Sequence, residues 1–174
     1  MRSNETKYTF FWGGPFSNFY TTYFTDAEGI SYSCTEQYYM AHKSLFFEDS
    51  FHYQKIMSEK NPIKQKRYGR KILNFDEKKW YGVFADENPA KKSMYEGNYL
   101  KYTQSEKLKK LLLGTEGTEL VEASPYDTLW GIGMRADSFG ASIESFWKGK
   151  NWLGEILTQI REKILEDEKK GLLF

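Results

Sequence analysis

Four groups of residues in this chain have the types and spacing to do chemistry. Glu36, Tyr39 or Met40, and Lys43 recur at helical spacing and so share one face of a helix. Seven positions separate Glu36 from Lys43, about 10 Å along the axis at a rise of about 1.5 Å per residue. That is too far for a simple i,i+4 ion pair and well suited to flanking a small ligand. A carboxylate and an amine are groups for proton transfer and nucleophilic attack. The plainer reading is local: Ser33-Cys34-Thr35-Glu36 matches an S-x-x-E capping box, with Lys43 as a solvated charge.

The second group lies in 120–133, where an apolar run empties into a loop carrying Asp127, Trp130, Gly131 and Gly133. Glycines let backbone N–H groups approach a ligand, and polar loops after strands often carry catalytic groups. Equally, Asp127 caps one helical turn and Trp130 belongs to the core. The third, Gly13-Gly14-Pro15-Phe16-Ser17-Asn18-Phe19-Tyr20, sets small polar groups between aromatics that could bond a base or ribose, or simply pins a turn. The fourth is basic, Lys60, Lys64, Lys66, Arg67, Arg70 and Lys71. Most of it reads as the wet face of a helix. Arg70 follows Gly69 at a helix end, and its guanidinium fork suits phosphate oxygens. Neither a P-loop nor a Rossmann fingerprint is present.

The elements that must position these groups follow from caps and breakers. Lys7–Trp12 and Ile30–Cys34 read as short strands, the first ended by Gly13-Gly14-Pro15. A helix announced by Ser33–Glu36 runs to about Phe47, and another spans Phe51–Glu59. Asn61-Pro62 and Asn88-Pro89 are cap-then-proline signals, predicting helices to Gly69 and to about Thr103. Asn74–Val83 looks irregular. A short helix opens at Ser105 and stops at Gly114, and Glu119–Ala123 is a strand. The stretch 124–150 reads as loop. Asn151 is expected to cap a last helix with Trp152, Leu153, Ile156, Leu157, Ile160 and Ile164 on its apolar face. The expected fold is α+β, a helix-rich single domain over 1–174 with a few short strands.

Composition narrows the function classes. The chain has 174 residues, and 25 Lys+Arg against 24 Asp+Glu leave a net charge of +1, which excludes a strongly basic coat for duplex DNA. Aromatics at 18% can bury a real core. No apolar run approaches the roughly 20 residues needed to cross a bilayer, and no secretory h-region is seen near the start. One cysteine, Cys34, closes no internal disulfide, so a cytoplasmic location and no membrane partner are expected. His42, His52 and Cys34 are too few for a zinc site, so neither a metal nor another cofactor is expected. The sequence sets no oligomeric state.

Taken together, the motifs resemble the NADAR family, the YbiA-like N-glycosidases. The matching words are Gly14-Pro15-Phe16-Ser17-Asn18-Phe19, Cys34 through Lys43, Gly69-Arg70, Trp80, Leu120 through Pro125, Asp127 through Gly133, and Gly149-Lys150-Asn151-Trp152-Leu153-Gly154. They occur in the family's order over roughly residues 8–165. The chain departs from the family at Gln37, where many relatives carry His, and in a longer Met134–Trp147 insertion.

The resemblance implies a YbiA-like fold and cleavage of a ribosyl C–N bond. One branch of the family hydrolyses phosphorylated ribosylamino-pyrimidine intermediates of riboflavin synthesis. Another removes ADP-ribose from guanine in nucleic acid. It implies Glu36 and Asp127 as functional carboxylates, Lys43 as a lysine that reacts with the sugar, and Trp80 as a flat face for base or ribose. Ser17, Asn18, Arg70, Trp130 and Gly131 are the remaining substrate-binding candidates. Two readings compete with the enzyme: a non-catalytic module that binds ADP-ribose or nucleotides, and a single-strand nucleic-acid binder using Lys60–Lys71 and Lys101–Lys110.

Overall fold

The computed structural model describes residues 7–82 and 88–172. The chain divides into two compact units, one built from residues 1–17 and 106–174, the other from 18–105.

The 18–105 unit is organised around one helix. Its strands are short: β2 (Phe24–Thr25) pairs antiparallel with β3 (Ser31–Tyr32). Helix α1 (Thr35–Phe46) buries nine of its twelve residues, so it behaves as a core helix rather than an amphipathic surface one. Helices α2 (Ser50–Ser58), α3 (Pro62–Gly69) and α5 (Pro89–Thr103) all pack on it, and α4 (Glu77–Trp80) packs on α5. Close approach is bought by glycine. A Cβ on Gly97 of α5 would sit 2.6 Å from the Tyr38 ring, and one on Gly69 of α3 would sit 1.9 Å from Met40 Sδ. The Asn-Pro signals are borne out: Asn61 Oδ1 accepts from Ile63 N at 2.9 Å, and Asn88 Oδ1 from Lys91 N at 3.0 Å.

The stretch read as irregular contains α4, capped by Asp76 Oδ1 accepting from Lys78 N and Lys79 N at 2.9 and 3.1 Å. A single turn of helix carries no periodicity for the eye to catch. Its last expected residue, Val83, lies outside the described residues.

The second unit is a parallel pair, β1 (Tyr8–Phe11) beside β4 (Glu119–Glu122), with α6 (Glu106–Leu113) and α7 (Trp152–Lys169). Parallel strands need a long crossover, and here the crossover contains the whole 18–105 segment. Leu153, Ile156, Leu157, Ile160 and Ile164 of α7 are buried, and α7 packs on β4. Burying such a side chain contributes about 1.5–3 kcal/mol. Val121, Ala123, Ile132 and Met134 form a further cluster covered by Tyr8, Phe10 and Trp147.

Asn151 departs from expectation. It is left-handed (φ 54°) and makes no cap; its side chain accepts from Glu122 N and donates to Leu120 O, each at 3.0 Å. The amide thus pairs the free edge of β4 as one strand residue would, a job open to Asn because its side chain mimics a peptide group. Gly154 completes the fit, since a Cβ there would lie 2.1 Å from Leu120 O.

Candidate active site

In the 18–105 unit the start of α1 sets the surroundings of Glu36. The cap is Cys34, one residue later than the S-x-x-E reading places it. Its sulfur accepts from Gln37 N at 3.4 Å and donates to Gln65 Oε1 at 3.2 Å. The reach-back is accordingly made by Gln37, whose Oε1 accepts from Ser33 N at 2.7 Å while Nε2 donates to Ile56 O at 3.0 Å. Gln37 is structural, and the capping-box role proposed for Glu36 belongs to its neighbour. Glu36 sits in the first turn with a side chain only 4% exposed. Its backbone N–H donates to Asn18 O at 3.0 Å.

Lys43, two turns on, is buried as well. Its ammonium donates to Gly69 O at 3.2 Å and lies 3.8 Å from the centre of the Phe75 ring. Burial pulls its pKa down to about 8; the Glu36 carboxylate works against that fall, and the Arg70 guanidinium adds to it. Glu36 and Arg70 therefore each lie within electrostatic reach of Lys43. Arg70 is the exposed C-terminal cap of α3, its N–H donating to Lys66 O at 3.0 Å.

Trp80 is 1% exposed and wedged beside α1. Its indole N–H donates to Tyr39 Oη at 2.7 Å, and its ring meets Phe46 edge-on at 5.4 Å. Tyr39, singled out only as an alternative on the Glu36 face, is thus the residue that holds the tryptophan. Burial raises the Tyr39 pKa well above its usual value, keeping the phenol protonated. Asn18 is equally committed. Its Oδ1 accepts from Asn98 Nδ2 at 3.1 Å and its Nδ2 donates to Met94 Sδ at 3.2 Å, while Asn98 Oδ1 accepts from Thr35 Oγ1 at 3.4 Å. This buried chain fixes the first turn of α1.

In the other unit, the Asp127 loop is a self-bonded knot. Asp127 Oδ1 accepts from Leu129 N at 3.0 Å and Trp130 N at 2.7 Å, and its carbonyl from Gly133 N at 3.0 Å. Trp130 is 9% exposed and meets Trp152 edge-on at 5.7 Å. The glycines here serve backbone contacts within the chain. A Cβ on Gly131 would lie 2.8 Å from Glu122 O, and one on Gly149 2.2 Å from Gly131 O. Ser17 is buried where the chain leaves the short turn Gly14–Phe16, its N–H donating to Gly14 O at 3.0 Å. The Met134–Trp147 insertion is tied down by Trp147, whose indole donates to Ala141 O at 2.7 Å.

The basic stretch 101–110 is no open phosphate track. Lys101 is 1% exposed, and burial pulls its pKa to about 7. Lys109 is buried between Glu106 and Glu168 at 3.0 and 3.1 Å. Among the described residues no cluster of His, Cys, Asp and Glu is arranged to hold a metal ion, and no helix is long and apolar enough to cross a membrane.

Comparison with known proteins agrees with the motif reading. A family model, the NADAR domain, matches residues 9–165. An N-glycosidase of Acanthamoeba polyphaga mimivirus is 42% identical over 141 residues, covering 81% of this chain and 79% of that protein. N-glycosidase YbiA of Escherichia coli is 30% identical over 151 residues, 87% of this chain and 81% of YbiA. The NMR structure of the E. coli protein YbiA matches with a TM-score of 0.74 at 27% identity, over 94% of this chain and 88% of that one. The expected helix-rich α+β fold with short strands is therefore a YbiA-like one. The chloroplastic riboflavin biosynthesis protein PYRR of maize is 31% identical over 166 residues, 87% of this chain but 23% of that protein.

Proposed function

The chain belongs to the NADAR family, and from that premise we propose that it is an N-glycosidase that hydrolyses a ribosyl C–N bond, with Glu36 and Lys43 at the centre of its chemistry. The substrates proposed are ADP-ribosyl-guanine in nucleic acid and phosphorylated ribosylamino-pyrimidines of riboflavin synthesis. The observation that carries the reading is the α1 face: a carboxylate and an amine, 4% and 7% exposed, within electrostatic reach of each other, with the exposed Arg70 within reach of the amine.

The bond chemistry fits these groups. As C1 of the ribose parts from nitrogen, positive charge builds on the sugar ring, and a carboxylate held out of water stabilises it more strongly than one in bulk solvent. Water then adds its oxygen to C1, one of its protons is taken up by a base, and the departing nitrogen acquires a proton. Glu36 is assigned the stabilising role. Asp127 is assigned the proton traffic, with Oδ1 held by the loop.

Lys43 opens a second, covalent route, favoured by its depressed pKa of about 8. A free amine can add to C1 as the bond to the base breaks, the base leaving with a proton; opening of the sugar ring then gives a Schiff base, which water hydrolyses to the free sugar and the amine. Trp80, Trp130 and Gly131 are proposed to line the base and ribose, with Ser17, Asn18 and Arg70 on the ribose and phosphate portion.

Incubation with both substrates, with the freed base detected by mass, tests the activity. Release from either supports it; tight binding of ADP-ribose with no base released identifies a binding module. Borohydride added during turnover separates the two routes, because only the covalent one leaves a reduced adduct on Lys43.

A further inference from the structure

Helix α2 begins with a carboxylate that does more than cap it. Asp49 is buried at the N-cap, where its Oδ1 accepts from His52 N at 3.0 Å. Its other oxygen takes two further donors. Oδ2 accepts from His52 Nδ1 and from Leu73 N, both at 2.7 Å. Burial works to raise the Asp49 pKa, but the bonds from His52 N, Leu73 N and the imidazole outweigh it and hold the carboxyl below its usual range. An ionised carboxylate only accepts, so the imidazole proton sits on Nδ1. The Leu73 bond is therefore charge-assisted, and it fastens α2 to main chain 24 residues further on.

That main chain is the turn between α3 and α4. Its first part is closed by α3 itself, through Arg70 N to Lys66 O at 3.0 Å and Lys71 N to Tyr68 O at 2.9 Å. Beyond them Ile72 buries its side chain, Leu73 exposes its own, and the chain bends through a left-handed Asn74 (φ 56°). Leu73 is thus held through its N–H and not by burial of its own apolar atoms.

Two residues further on, the turn reaches Lys43. The Phe75 ring lies 3.8 Å from Lys43 Nζ and meets Phe47 edge-on at 5.4 Å. The ring is 41% exposed while Lys43 is buried, so it stands between the amine and solvent. The amine's acceptor, Gly69 O at 3.2 Å, lies where the same turn begins. Asp49 is also joined to the helix that bears the amine, its N–H donating to Ser44 O at 2.9 Å. One buried residue therefore connects the lysine helix to the turn that covers the lysine.

We propose that the Asp49–His52 pair is a latch on this turn: by holding the Leu73 N–H it keeps Phe75 closed over Lys43, which makes Asp49 and His52 positioning residues for the chemistry of that amine. The inference rests on the reading of Lys43 as a reacting group, and its first readout is Lys43 itself rather than turnover. Opening the turn admits water to the ammonium and raises its pKa from about 8 toward the ordinary 10.5. The charged groups that bear on it, Glu36 from α1 and Arg70 from the end of α3, are left unsubstituted.

NMR titration of isotope-labelled lysine in the whole chain tests the latch, with the Lys43 signal assigned by its loss in Lys43→Met. Asp49→Ser keeps an oxygen to cap α2 but none to reach Leu73 N, His52→Ala removes the imidazole, and His52→Asn restores an N–H where Nδ1 stood. Lys43 should titrate about one pH unit or more above the wild type in Asp49→Ser and His52→Ala, with weaker contacts between its methylenes and the Phe75 ring. His52→Asn should keep the wild-type titration. The pH profile of base release should move up with the amine, since a full return to 10.5 leaves about a hundredfold less free amine near pH 8. A purely structural pair predicts lower melting temperatures with the Lys43 titration unmoved, and that result in folded variants overturns the proposal, as does a wild-type Lys43 that titrates at its ordinary value. Should both variants lose their native spectra, hydrogen exchange at the wild-type Leu73 amide decides, slow exchange supporting the latch and free exchange overturning it. Base release by Lys43→Met at the wild-type rate would instead overturn the reading of Lys43, a failure separate from that of the latch.

Discussion

The α1 face and the Asp127 loop both carry a carboxylate, and they hold it by opposite means. Glu36 stands on a helix whose cap and reach-back are supplied by Cys34 and Gln37, so its carboxylate makes neither of those two bonds. Asp127 stands on a loop that its own Oδ1 knits together through two backbone N–H groups. The surroundings differ in kind too. Beside Lys43 the tight contact is Gly69 against the end of a methionine side chain, whereas around Asp127 the tight contacts are backbone against backbone. A helix-borne group can change its chemistry without changing the fold; a loop-borne group of this sort cannot easily do so.

The contrast can be broken most forcefully at Gly149. A methyl there would meet Gly131 O at 2.2 Å and the Thr128 backbone at 2.7 Å, with nothing flexible to give way. Gly149→Ala should cost about 3 kcal/mol, the upper end of overpacking, read as the loss of midpoint in urea unfolding. Gly69→Ala should cost less, about 1 kcal/mol, because Met40 can change rotamer. Its larger effect should be on Lys43, whose acceptor is the Gly69 carbonyl.

Asp127 sharpens the comparison by separating charge from hydrogen bonding. Asp127→Ala should lose about 1 kcal/mol, as caps do, and Asp127→Asn, which keeps the acceptor oxygen, only a few tenths. If Asp127 moves a proton in turnover, the two variants should be equally inactive despite that difference in stability.

The smallest expected effect is a pH slope. Burial holds folded Lys43 at about 8, below its ordinary value of 10.5, so between these values the unfolded chain binds the extra proton. Stability from this group therefore rises with pH across that window, and Lys43→Met should flatten the rise. Chemistry that uses the free amine should likewise increase as pH passes through about 8.

Much of the scaffold was legible because it is written in local signals. Asn61-Pro62 and Asn88-Pro89 announce α3 and α5 with side-chain oxygens and a preset φ, and the structure starts both helices at those prolines. The apolar stripe of α7 is likewise plain. What stayed hidden depends on partners distant in sequence. Cys34 serves as the cap because Gln37 and Gln65 close on it, and no local rule prefers Cys to Ser there. Asn151 looks like a cap until β4 is seen to need an edge partner. Lys101 and Lys109 read as surface charge because burial is invisible in a run of charged letters.

The most direct measurement compares wild-type chain with Glu36→Gln on the substrate that the wild type cleaves, following base release in a single turnover. The amide keeps the size and much of the hydrogen bonding of the carboxylate but cannot ionise. A Glu36→Gln protein with an unchanged melting temperature and a rate lower by about a hundredfold or more is the result this reading of α1 requires. Base release by that protein at the wild-type rate would contradict it and return Glu36 to the role of a buried structural residue.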